Sequence, residues 1–317
     1  MGYGMNYPAA RCRSVFYLMA LAAAPAAAQE APSSPSAPPA VGTDIFYASD
    51  SDGTEVIRAA LNVDLRNRSD NDHLGFSIEK GWYRPANSPQ ESRTRGFLTA
   101  AGEQGKWQWR ARVGTDGDNV IGSIGVNDTS PWRKEVFVER DIVETRQGLR
   151  RGIYSTFAGA TLDMPASDRD TFTAMLGVQK FTGDNVRLHL RGSYIHVVKS
   201  DWGLSVQLRG RYFSNSTPRE FDYYSPPWFA EILPVIQVRR FIGGWELVGA
   251  GGIGAQRDAF SQWRQSRFVQ ARFRSPIRGS AWSATGAFTY TNTPTFGDTS
   301  DSGYSYMQVS LGVSRRF

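Results

Sequence analysis

The chain has 317 residues, a formal net charge of +6, 40% hydrophobic and 13% aromatic residues, one cysteine and three histidines. A single cysteine excludes an internal disulfide framework and a thiolate metal cluster. A mean hydropathy of −0.40, with no run of about 20 apolar residues after the N-terminal region, excludes a spanning helix from the rest of the chain.

Residues 1–28 have the order of an export signal. Arg11 and Arg13 precede an apolar run from Val15 to Ala24, and Ala26-Ala27-Ala28 offers a small-residue cleavage site. Cys12 lies ahead of that run and is expected to leave with it, so it anchors no lipid. Residues 29–40 contain only Ala, Pro, Ser, Gln and Glu. That composition cannot build a core and reads as a disordered lead. From residue 41 to 317 the chain reads as one domain.

That domain alternates. Ile57, Ala59, Leu61, Val63 and Leu65 oppose Arg58, Asn62 and Asp64. Leu74, Phe76, Ile78 and Trp82 oppose Ser77, Glu79 and Gly81, and Trp107, Trp109, Ala111 and Val113 oppose Gln108, Arg110 and Arg112. Alternation is weakest between 115 and 150. It returns with Val186, Leu188, Leu190, Gly192 and Tyr194 against Arg187, His189, Arg191 and Ser193. Next come Trp202, Leu204, Val206 and Leu208 against Ser205, Gln207, Arg209 and Arg211. Trp245 to Ile253 and Trp282 to Tyr290 repeat the pattern. At the end, Met307, Val309, Leu311 and Val313 share one face and Phe317 is terminal. A period of two, polar on one side and apolar on the other, suits a barrel whose lumen is wet and whose outside meets lipid. The expected fold is all-β: a transmembrane up-and-down antiparallel β-barrel of about 16 strands in the bacterial outer membrane.

Two further features fit. Trp82, Trp107, Trp202, Trp228, Trp245, Trp263 and Trp282 lie near strand ends, where an interfacial girdle needs amphipathic rings. The longest polar connections, 84–94, 214–226 and 292–303, with a shorter one at 144–151, all follow odd-numbered strands, as extracellular loops do when both termini are periplasmic. Phe317, Val313 and Leu311 form the expected signal for the barrel-assembly machinery. Arg315 departs from the apolar residue usual two before the end.

Charge is uneven. From Asp184 onward there are 16 Lys and Arg against 9 Asp and Glu; from Gln29 to that point there are 18 against 21. Arg187, Arg191, Arg209, Arg211, Arg239, Arg264, Arg272 and Arg274 fall on inferred lumen faces. Like charges on adjacent strands repel. Their retention implies either acidic partners such as Glu231 and Glu246, or a positive wall that selects anions. Lipopolysaccharide phosphates, acidic sugars and small anions are candidate partners for guanidinium forks. Nucleic acid is not expected, because the basic residues alternate with apolar ones and form no solvent-exposed patch.

Catalysis has little support. His189 and Ser193 share a face, but no third convergent group accompanies them, and a solvated lumen histidine is the plainer interpretation. His189 and His196 are wrongly spaced for a tight metal pair on one strand face; the third histidine is His73. Asp298 and Asp301 are a weak cation candidate, since loop acids are usually just solvated. The expectation is no enzyme, no cofactor and no metal.

One segment goes beyond generic alternation. Arg219-Glu220-Phe221-Asp222-Tyr223-Tyr224-Ser225-Pro226-Pro227-Trp228-Phe229, leading into a strand at 230–240, resembles the Tyr-Tyr-Ser-Pro segment in the C-terminal barrel of the outer-membrane exporter family of bacterial cellulose synthase. Outer-membrane porins for poly-N-acetylglucosamine also end in such a barrel, and Glu139-Arg140-Asp141-Ile142-Val143-Glu144-Thr145 looks like a segment of the same group. The resemblance implies a 16-strand barrel exporting a polysaccharide. Those exporters carry a long helical-repeat periplasmic arm. The stretch 29–40 leaves no room for one, so a separately encoded helical-repeat protein is the partner the resemblance implies. The first functional expectation is a channel for a saccharide or other polar or anionic solute. The alternative is a non-transporting surface barrel that binds lipopolysaccharide or a protein, and a lipid-modifying enzyme is third.

Overall fold

Alternation over this many segments leaves the chain one way to bury its polar faces without exposing sheet edges to lipid, which is to close on itself. A computed structural model describes residues 38–69, 71–276, 280–294 and 303–317, and in it the sheet closes. Sixteen strands run β1 Ala40–Asp50, β2 Glu55–Ser69, β3 Asp72–Arg84, β4 Glu91–Gln104, β5 Trp107–Thr115, β6 Val120–Asp128, β7 Lys134–Ile142 and β8 Tyr154–Pro165. They continue with β9 Asp170–Phe181, β10 Val186–Lys199, β11 Leu204–Asn215, β12 Trp228–Ile242, β13 Trp245–Asp258, β14 Arg264–Arg274, β15 Trp282–Thr291 and β16 Tyr306–Arg316. Each pairs antiparallel with its chain neighbours, and β1 closes onto β16 from Ala40↔Arg316 to Asp50↔Tyr306. The 1–28 export signal lies outside the described residues. No helix among the described residues is long and apolar enough to cross a membrane.

The two faces separate as the period of two requires. Leu61, Leu98, Leu176, Leu188, Ile232, Ile253 and Leu311 point outward and are exposed, Leu98 by 71% and Leu188 by 55%. Their neighbours in sequence point inward and are buried or half-buried. An apolar outside this continuous suits hydrocarbon rather than water.

The ends differ. Connections after β7, β11 and β15 are the longest, all at what we call the odd end. Connections at the even end are shorter, and those after β2, β4 and β12 have two residues each. Gly243 and Gly244, with φ of 57° and 82°, form a two-residue hairpin turn whose positive φ at both positions matches strand twist. Six of the nine tryptophans stand at the even end and three at the odd end.

The structure refines three expectations. The 84–94 connection is shorter, because β4 begins at Glu91. Polar residues 91–94 lie on a strand that outruns the apolar belt, so hydropathy stops alternating before the hydrogen-bond ladder does. Trp202 belongs to a short 3-10 turn, Ser200–Trp202, rather than to β11. The weak region resolves into β6, β7 and a six-residue helix, α1 Arg146–Arg151.

Candidate functional site

The inner face of β10 to β15 carries all eight arginines singled out above, each alternating with an exposed or outward residue. Register brings them together: Arg191 lies directly opposite Arg211, and Arg274 opposite Glu246. The guanidinium of Arg187 sits 5.1 Å from the Phe181 ring centre and 4.6 Å from that of Phe213. It donates to Asn215 Oδ1 at 2.9 Å and to the Tyr224 carbonyl. Arg209 donates twice to Gln207 Oε1, at 3.0 and 2.8 Å, and lies over Phe268. Among the described residues, ion pairs join Arg211 to Glu231 at 3.1 Å, Arg239 to Glu246 at 2.8 Å and Arg264 to Asp258 at 3.6 Å. Those three acids are the only ones on β10 to β15, so arginines outnumber carboxylates on these strands. Glu231 also accepts from Ser266 at 2.6 Å and Thr293 at 2.8 Å.

The opposite wall is a braced network that patterning did not reveal. Arg95, 2% exposed, donates to Glu79 on β3 through Nε at 2.7 Å and Nη2 at 2.5 Å. Its Nη1 reaches Asp141 on β7 at 2.8 and 3.0 Å. Arg112 adds a 3.1 Å bond to Glu79, and Arg58 holds Glu144 at 2.8 Å. Inner aromatics on both walls are buried beneath guanidinium groups, as Phe97 is beneath Arg112 at 3.3 Å and Phe229 beneath Arg211 at 5.0 Å. They therefore brace cations and do not present open faces to a sliding sugar.

The odd end is folded inward. α1 is capped by Thr145 Oγ1, which accepts from Gly148 N at 3.1 Å, and it ends at Gly152 with φ 67°. Its Leu149 is buried among Ala48, Val56, Tyr83, Phe97, Ile121 and Tyr306, inner residues from strands on both sides of the β1–β16 seam. The connection 216–227 then ties this helix to other turns. Asp222 accepts from Thr145 Oγ1 at 2.6 Å and from Gln147 N at 2.7 Å. Glu220 accepts from the amides of Asp184 and Asn185 between β9 and β10, at 2.5 and 3.0 Å. Tyr223 stacks on Phe181 with ring centres 4.2 Å apart. Burial pushes its hydroxyl up to about 12, so it stays protonated while accepting from Asn185 Nδ2 at 2.9 Å. Tyr224 donates to Asp258 at 2.7 Å, and its hydroxyl is likewise raised, by burial first and then by that hydrogen bond. The two segments that carried the family resemblance thus meet at Thr145 and Asp222.

Removing this latch has a defined expected result. In Asp222→Ala the barrel stays folded, while two bonds to a carboxylate, each worth about 1.5–3 kcal/mol, are lost from the connection. Limited proteolysis is expected to cut within 216–227, and single-channel conductance to rise. Wild-type cleavage together with wild-type conductance would show that Asp222 holds nothing closed.

His189 is packed rather than solvated. Its Nε2 is 3.1 Å from Gln179 Oε1, and its ring lies 5.0 Å from Phe157 and 5.8 Å from Phe213. Both its ring environment and its distance along the strand from Ser193 speak against an acyl-transfer pair. His196 Nδ1 is tied to Asp170 at 2.8 Å. Among the described residues no group of three or more His, Cys, Asp or Glu is placed to hold a metal ion. Asp298 and Asp301 lie outside the described residues. At the C-terminus Leu311 and Val313 face outward, and Phe317 N donates to the Pro39 carbonyl at 3.0 Å. Arg315, where an apolar residue is usual, lies 5.4 Å from the Trp282 ring centre and 5.1 Å from that of Phe317. Its stem follows the outer surface and its charge sits at the rim.

Closed 16-strand topology, an apolar outside and a charged interior make this chain a membrane-embedded, porin-type β-barrel. A bacterial polysaccharide outer membrane secretin superposes on it with a TM-score of 0.63 at 14% identity, covering 88% of this chain and 98% of that one. Smaller likenesses include a KdgM porin in complex with disordered oligogalacturonate, at TM-score 0.36 and 9% identity over 87% of this chain and 99% of that one. Another is Pseudomonas aeruginosa OccK5 (OpdH), at 0.43 and 8% over 89% and 98%. Identities this low speak to fold alone. No family model and no curated protein sequence matches the chain.

Proposed function

We propose that the protein is an outer-membrane channel for an anionic polar solute, an acidic saccharide being the class that fits best. The observation that carries this is the basic wall, with eight arginines facing the lumen from strands that contain three carboxylates. Planar guanidinium groups bind carboxylate, sulfate and phosphate bidentately, and a wall on which arginines outnumber carboxylates favours the entry of anions. In this assignment the odd end is extracellular and the even end periplasmic. A separately encoded helical-repeat protein would deliver the polymer, lipopolysaccharide would surround the outer rim, and the barrel-assembly machinery would insert the chain by its Phe317 end. A second reading, a surface barrel that transports nothing, draws on the inward-folded odd end, where α1 and the 216–227 connection occupy the mouth.

Reversal potentials in a salt gradient test the first reading. Changing Arg187, Arg191, Arg209 and Arg211 together to Gln is expected to lower anion preference while the barrel remains folded. If the arginines serve only to brace, the same variant unfolds earlier and Glu231 is left without its cation. Unchanged selectivity with unchanged stability would favour the surface barrel.

A further inference from the structure

The even end carries a second, unrelated feature on its outer surface. Leu204 of β11 lies directly opposite Val238 of β12, and this apolar pair floors a groove of about 310 Å³. Trp202 and Arg240 complete its lining. Both are exposed and point away from the lumen. Arg240 Nη1 donates to the main-chain oxygen of Asp201 at 2.7 Å. Its Nε and Nη2 have no partner among the described residues. The ammonium of Lys199 sits 4.2 Å from the Trp202 ring centre, with no carboxylate bonded to it among the described residues. Two cations with unused donors are therefore found at this apolar slot, Arg240 in its lining and Lys199 against Trp202, where strands give way to turns.

We infer that this slot binds one anionic glycerophospholipid, an acyl chain lying along Leu204 and Val238 and its phosphate held by Arg240 and Lys199. Apolar walls exclude a soluble anion, which would find no reason to prefer this place to the bulk. The bilayer in contact with the even end supplies a molecule that has both a chain and a phosphate, and an indole ring packs at the glycerol level between the two. Guanidinium and ammonium together match a phosphate that carries no compensating amine, so phosphatidylglycerol is the headgroup type that gains most. That the lipid belongs to the periplasmic leaflet rests on the orientation assigned above, whereas the slot itself does not.

The test uses the full mature barrel in nanodiscs of phosphatidylcholine containing a minority of phosphatidylglycerol, with retained lipid counted by native mass spectrometry. Wild-type protein is expected to retain phosphatidylglycerol in preference to phosphatidylcholine. Lys199→Gln with Arg240→Gln is expected to lower that preference about thirtyfold, since each cation near a membrane surface contributes about fivefold. Val238→Trp, which fills the slot and keeps both charges, is expected to lower retention of either lipid. Heat-modifiable migration confirms that each variant is folded. Lys106→Gln, beside Trp107 elsewhere on the same rim, is expected to leave the preference unchanged. Equal retention of the two lipids by wild type, an unaltered preference in the double variant, or the same loss in Lys106→Gln overturns the inference. So does stronger retention of lipid A when it replaces phosphatidylglycerol. Ion selectivity of the lumen is expected to be untouched in all these variants, so failure here and failure of the channel assignment are read separately.

Discussion

Arg95→Ala is expected to destabilise the barrel by about 3–5 kcal/mol, the range found when one partner is removed from a buried ion pair. The substitution strips Glu79 and Asp141 of their shared cation in a place where the guanidinium is 2% exposed. Arg112, 3.1 Å from Glu79, still holds one carboxylate in part, and Asp141 keeps the amide of Ile142 at 2.8 Å. Urea unfolding in micelles measures the loss. Adding Glu79→Gln and Asp141→Asn to the same variant is expected to recover much of it, because no carboxylate then remains buried without charge compensation. A wild-type midpoint for Arg95→Ala alone would show that the network braces nothing.

A charge on the other face is expected to cost comparably for a different reason. Leu188→Arg places a guanidinium where the chain is 55% exposed to what the apolar belt identifies as hydrocarbon. The cost at mid-bilayer is about 2–4 kcal/mol. Thr285→Arg is the matched control. It lies on the inner face opposite Gly312 on one side and Arg274 on the other, and the nearby Asp44 carboxylate offsets the repulsion from Arg274. Folded yield and unfolding midpoint in lipid vesicles should fall for Leu188→Arg and hold for Thr285→Arg. Equal behaviour at the two sites would mean the faces are assigned the wrong way round.

The strands were legible because lipid on one side and water on the other imposes a period of two on every segment, and Leu188 and Arg187 follow that rule without reference to any distant residue. Connection lengths were legible for a related reason, since parity sorts long loops to one end. Helix α1 escaped because six residues are too few for a 3.6-residue period to show. Its signals were local, a Thr145 cap seven residues before Gly152. Partners separated by strands escaped altogether. Arg95 on β4 meets Asp141 on β7, and Asp222 meets Gln147 from 75 positions away; nothing in either neighbourhood announces the other. Glu231 and Glu246 were legible as arginine partners because each lies on a strand adjoining its cation or at its own hairpin. Ser193 shared a face with His189 on paper, but rings from β8 and β11 fill the histidine's surroundings, and only folding brings those rings in.

The bond between Phe317 N and the Pro39 carbonyl places both ends of the barrel on one rim, and strand order around the ring matches order along the chain. Fifteen of the sixteen strand pairings join segments already tethered by a turn. The last brings residues 40–50 to 306–316 across nearly the whole polymer. The entropy of that closure grows only with the logarithm of the length spanned, whereas the ladder it creates grows with the length of the strand. Assembly can thus proceed as a sheet widening hairpin by hairpin, with one slow event left over. Until that event the open edges of β1 and β16 are the molecule's most vulnerable surface, each a template on which a foreign strand could pair in place of the other.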